Sequence, residues 1–285
     1  MPQFIQPRVH DIGGFTVGRA LPSAERRSVG PFVFFDHIGP AVLGEQPMAV
    51  RPHPHIGLAT VTYLWEGAMM HRDSLGCVQE VLPGDVNWMI AGRGIVHSER
   101  TPERLVGKPH AMHGLQTWVA LPHAHEEDEP SFAHHPKATL PVVERDGVTM
   151  TIVAGHAFGA RAPVAVLSGT LYVSIELRAG ASLQIPAEHV ERALYAVAGE
   201  LTLDDVALPR NTLAVLDPDT LPVLRAVSDA RVMLVGGEPL DGPRFLWWNF
   251  VSSSRERIEQ AKADWRDGRL GAVPGETEFI PLPDR

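Results

Sequence analysis

The chain has 285 residues, 44% of them apolar and 21% charged, with a formal net charge of −9. These values describe a soluble globular protein with room for one large or two ordinary cores, and the acidic balance argues against a broad nucleic-acid face, which needs basic surface. Cys77 is the only cysteine, which excludes disulfide frameworks and cysteine-rich zinc sites and fits a reducing cytoplasm. The opening "MPQFIQPRVHDIGG" lacks the basic-then-apolar pattern of an export signal, and no apolar run approaches membrane-spanning length. Neither direct nucleic-acid contact nor a membrane is therefore expected.

The 26 glycines and 25 prolines are scattered as turn punctuation, which predicts many short strands. Residues 32–35, "FVFF", read as a buried strand. Residues 58–67, "LATVTYLWEG", alternate and stop at a glycine, and 67–76, "GAMMHRDSLG", form the return strand of a hairpin. A turn at 83–85 leads to strands at 86–91, 95–99 and 113–122. The polar, histidine-rich stretch 123–138 reads as a surface loop or linker. Five further strands follow, at 170–177, 181–186, 192–201, 212–217 and 230–237. "VTYLWEG" (61–67) and "ALYAVAG" (193–199) echo one another, as two copies of one β unit would. Near the C-terminus Ser253 and Glu256 form a capping-box pattern, Ile258, Ala261 and Trp265 share a helical face, and Gly268 supplies a stop.

Fourteen histidines make their placement the informative question. "RPHPH" (51–55) puts His53 and His55 at i and i+2, on one face of a strand. Alone, such a pair is as readily two polar residues at a strand entrance. A second pair, His97 and Glu99 in "GIVHSE", has the same spacing on another predicted strand. Two such strands side by side inside a barrel aim three imidazoles and a carboxylate at one point. That set suits a divalent metal, iron first, with nickel, copper, cobalt, manganese or zinc as alternatives, and leaves coordination positions open. Pro52 and Pro54 stiffen the strand entrance, and Gly92 and Gly94 permit the turn before His97.

"FVFFDHIGP" (32–40), "RPHPHIGLATVTYLWEG" (51–67), "HRDSLG" (71–76), "PGDVNWMIAGRGIVHSE" (83–99), "MHGLQTWVALP" (112–122) and "GGEPL…WWNFVSSSRERIEQAKADW" (236–265) resemble the pirin family of cupins over nearly the whole chain. The resemblance implies an all-β bicupin: two stacked antiparallel β-barrels of jelly-roll type with a short C-terminal α-helix. The expected division is residues 1–135, a metal-binding barrel, and 136–285, a barrel without ligands that ends in the helix. The family's ligand positions fall on His53, His55, His97 and Glu99. The acid that cupins place soon after H-x-H is missing here, where Ala59 and Thr60 stand. In the second half Ile185 and Ala187 stand opposite His53 and His55, and His189 reads as isolated and exposed.

His71 and His113 are candidates for contacting the ligands or the substrate, whereas His123, His125, His134 and His135 read as solvated. Trp247 and Trp248 read as packing residues between the domains. The resemblance implies a dioxygenase that cleaves flavonols such as quercetin, with Glu99 as both ligand and catalytic base. A metal- or redox-sensitive regulator acting through protein partners is the alternative, and a purely structural cupin is a third reading.

Overall fold

The computed structural model describes residues 2–12, 15–44 and 47–283. Antiparallel strands build nearly all of it, with one α-helix among the described residues. No helix among them is long and apolar enough to cross a membrane.

The chain forms two compact units. One comprises Met1–Arg8, Gly18–Phe35 and Ala138–Pro239, and the other Val9–Val17, Asp36–Lys137 and Leu240–Arg285. The division between Asp36–Lys137 and Ala138–Pro239 falls close to residue 135, while the terminal segments are grouped with the opposite half. The strand Gln3–Ile5 pairs with Leu213–Val215, covering a sheet edge that would otherwise expose unpaired backbone. The helix Arg255–Arg266 buries Ile258 and Ala261 against Ile56 and Phe250. That places the C-terminal segment with the histidine-bearing unit, because its apolar face has its partner there.

In that unit one sheet has the spatial order Ala49–His55, Ile95–Arg100, Met69–Asp73, Val78–Val81. The second sheet has Ser131–His135, Val86–Ile90, Leu58–Glu66 and His110–Ala120 in that order, followed by residues 36–43 of the strand Phe32–Leu43. The other unit repeats this. Its small sheet, Ser182–Gln184, Val223–Ala226, Leu201–Leu203, Val206–Leu208, has the same permutation of chain order. Leu58–Glu66 and Glu191–Ala198, the strands of the sequence echo, hold equivalent places in the two large sheets. Each unit is thus a two-sheet jelly roll, with open sheets rather than a closed hydrogen-bonded ring. Alternation along the strands fills the cores: Phe32 meets Tyr172, and Phe35 meets Tyr195, all four buried.

Three local expectations shift. The stretch 123–138 is not all loop, since Ser131–His135 pairs with Val86–Ile90 as an edge strand and His134 Nδ1 bonds the Asn87 side chain at 2.8 Å. The helix cap is Ser254, whose hydroxyl accepts from the Arg257 amide at 3.2 Å; Ser253 instead donates through its amide and hydroxyl to the buried Glu126 carboxylate. Trp247 and Trp248 pack within one unit, in the cluster of Ile56, Phe250 and Ile258.

Candidate metal centre

Ala49–His55 is the edge strand of the small sheet, where Pro52 and Pro54 are tolerated because a ladder there needs donors on one side only. Ile95–Arg100 lies beside it, with His97 opposite His53 and Val96 opposite Pro54. The turn between Ala91 and Ile95 depends on Gly92, which has φ +49°; a Cβ there would lie 2.0 Å from the Asp128 carbonyl oxygen. The alternation then points His53, His55 and His97 to one face. A ring nitrogen from each lies within 4.8 Å of the others. All three are buried, His97 completely.

Backbone carbonyls fix the tautomers of His53 and His55. His53 Nδ1–H donates to the Arg51 carbonyl at 2.9 Å, and His55 Nδ1–H to the Asn249 carbonyl at 3.0 Å. His71 Nε2 lies 2.9 Å from Asp73 Oδ2, and His71 Nδ1 lies 3.4 Å from His97 Nδ1. Asp73 also accepts from the Leu75 and Cys77 amides. His55 Nε2, with the ring proton committed at Nδ1, is an acceptor and lies 3.1 Å from His97 Nε2. With the His97 proton at Nδ1, toward His71, the Nε2 atoms of all three rings are free to bind a cation. Protonating a ring is disfavoured. Burial, opposed by the bond to the Arg51 carbonyl and helped slightly by His71, pulls His53 down to about 4, and burial followed by the neighbouring imidazoles holds His55 and His97 well below the usual value. The cluster therefore stays neutral and ligand-ready at physiological pH, which fits a divalent metal.

Glu99 follows His97 by two residues and is buried, yet the compact cluster comprises the histidines alone. Its Oε1 accepts from Gln116 Nε2 at 2.5 Å. Burial raises its pKa to about 7, with the Gln116 bond pulling weakly the other way. Of the four expected ligands, three come together directly, and the fourth is held from the facing sheet by an amide.

His71 touches His97 and stacks on Phe132 with ring centroids 4.4 Å apart. His113 is buried elsewhere, its Nε2 3.0 Å from His37 Nε2 and its ring against Trp65, outside the three-histidine cluster. His189 is not exposed: its Nε2–H donates to the His156 carbonyl at 3.0 Å in the other unit. There the strand pair equivalent to the histidine strands buries Leu183, Ile185 and Leu224. Sequence reading missed Asn249, Asp73, Gln116 and Phe132. Two of these act through distant or backbone contacts that leave no local pattern, but Asp73 has one, since H-x-D puts it on the His71 face.

Two family models match the chain, Pirin over residues 14–119 and the Pirin C-terminal cupin domain over residues 172–271. A pirin-like protein of Caulobacter vibrioides is 50% identical across 97% of each chain. Pirin of Homo sapiens is 32% identical, covering 90% of this chain and 89% of its own. The crystal structure of a quercetin 2,3-dioxygenase from Acinetobacter baumannii superposes with a TM-score of 0.91 at 35% identity, over 100% of this chain and 96% of that one.

Proposed function

The chain belongs to the pirin family of cupins, and on that premise we propose that it is a metal-dependent dioxygenase acting on a flavonol-like substrate. His53, His55 and His97 hold the metal through Nε2, and Glu99 is the fourth ligand. The convergence of three buried imidazole nitrogens, all within 4.8 Å of one another, carries this reading. When bound, the metal, iron first among first-row ions, supplies Lewis-acid charge and open coordination positions for a chelating oxygen pair.

The chain's own residues do the rest. Gln116 fixes one oxygen of Glu99, leaving the other to accept the acidic hydroxyl proton of an incoming flavonol. Asp73 and His71 keep His97 in the tautomer that presents Nε2. Trp118, its ring centroid 5.1 Å from that of His55, and Phe132, stacked on His71, place apolar rings beside the ligands and their support.

Oxygen uptake by iron-loaded protein with quercetin tests the reading. Turnover that disappears in Glu99→Ala is expected. Metal-loaded protein that consumes no oxygen above buffer would remove the dioxygenase assignment. The alternative, a metal- or redox-sensitive protein that acts through a protein partner, would then take its place.

A further inference from the structure

The two ligand strands are not in simple register. His97 pairs with His53, but Glu99 pairs with Val50, so Arg51 and Pro52 together oppose Ser98. This bulge lies between the candidate ligands and sets how far Glu99 stands from the histidine face. A bulge leaves a residue unpaired in the ladder, so contacts from outside the sheet weigh more in setting its geometry.

The C-terminal segment holds this one. Ser98 points away from His97 and Glu99, as alternation requires, and its hydroxyl donates to Glu276 Oε1 at 2.5 Å. The other oxygen, Oε2, accepts from Arg100 Nε at 3.0 Å and also from Nη2. One carboxylate thus grips the residues on both sides of Glu99. On the neighbouring strand the Pro52 carbonyl accepts from the Ile280 amide at 2.8 Å. Ile280 is anchored in turn, since its own carbonyl accepts from Trp265 Nε1 of the helix at 3.0 Å. Beside the segment lies a hollow of about 510 Å³, lined by Pro52, Val96, Trp265, Phe279 and Leu282. Glu278 adds an exposed carboxylate on Arg100 Nη2 at 3.0 Å and Phe279 packs on Trp265, but of the two carboxylates Glu276 is the one that also holds Ser98. Glu276 is nearly buried, its side chain 10% exposed, so its bonds to Ser98 and Arg100 are not diluted by solvent as surface pairs are.

We infer that residues 275–281 form a strap that locks the bulge, and that Glu276 is a positioning residue for the metal centre. It acts through Ser98 and Arg100 on the separation of Glu99 from the three histidines. The inference rests on the metal-centre reading above.

Cobalt(II) binding tests it in the full chain, with affinity read by chelator competition and ligand geometry by the visible spectrum. Glu276→Ala is expected to weaken binding about ten- to a hundredfold, as loss of outer-shell support does, and to shift the cobalt bands. Glu276→Gln keeps an acceptor for Ser98 but loses the charge facing Arg100, and is expected to fall between. Arg104→Ala, which removes an exposed ion pair with Glu80, is the control and leaves both readouts unchanged. Wild-type affinity and spectrum in Glu276→Ala overturn the strap while leaving the metal centre intact. Weakened binding with an unshifted spectrum also overturns it, because that is loss of stability alone. Wild-type protein that takes up no cobalt overturns the metal centre and the strap together. Should Glu276→Ala fail to fold, the same outcomes are read on the isosteric Glu276→Gln.

Discussion

His97 has two ring nitrogens, and both meet other histidines: Nε2 faces His55 and Nδ1 faces His71. One residue thus links the candidate ligand set to the buried Asp73. His97→Ala is expected to abolish metal uptake, whereas His71→Ala keeps the ligands and weakens binding about ten- to a hundredfold; chelator competition separates the two, and equal effects would contradict the assigned roles. The same burial makes the metal-free protein sensitive to pH. Between about 4 and 6.5 the unfolded chain protonates His53 while the fold keeps it neutral, so stability falls as pH drops through that window, and His55 and His97 add in the same direction. Glu99 opposes them. Its folded value of about 7 lies above the ordinary 4.5, so its contribution is present at low pH and is lost as pH rises between those values. Three histidines outweigh one glutamate, and each net proton changes stability by about 1.4 kcal/mol per pH unit. Denaturant melts in chelator are expected to show stability falling from pH 6.5 toward 4.5, with a flatter slope in His97→Leu. An identical slope in that variant would contradict the depressed pKa values.

The short strands are legible in sequence because a period of two, broken by glycine and proline, is a local signal. The pairs H-x-H and H-x-E are legible for the same reason, since i and i+2 share a face wherever a strand forms. The edge strand Ser131–His135 is not, because it has no buried face of its own and exists only by pairing with Val86–Ile90. The helix was placed from its apolar face, but its cap lies one residue later than the Ser253–Glu256 pattern, since the buried Glu126 recruits Ser253. Ser254→Ala is therefore expected to cost about 1 kcal/mol in denaturant unfolding, the usual worth of a cap. An effect found at Ser253 alone would place the cap on the sequence pattern after all. Gly92→Ala forces a Cβ against the Asp128 carbonyl at a positive φ and is expected to destabilise more than the cap change does.

The molecule is one β architecture built twice, with a three-histidine cluster, among the described residues, in one copy. The repeat shows faintly in sequence, as a seven-residue echo, and plainly in topology, where both small sheets have the same strand order. Backbone arrangement survives substitutions that erase side-chain similarity. In the second copy Leu183, Ile185 and Leu224 fill the equivalent interior, so packing replaces coordination. The crossing of the termini was the least legible feature. Which sheet edge lacks a partner, and which helix face lacks cover, are properties of the folded units and not of any segment. The same holds for Asn249, whose backbone carbonyl orients His55 from nearly two hundred residues away. The central claim is a single metal centre built on three Nε2 lone pairs. Anaerobic loading with iron(II), followed by metal analysis of wild-type, His97→Ala and His189→Ala protein, tests it most directly. One ion per chain is predicted for wild type and His189→Ala, and none for His97→Ala. A metal-free wild type, or full occupancy in His97→Ala, would contradict it.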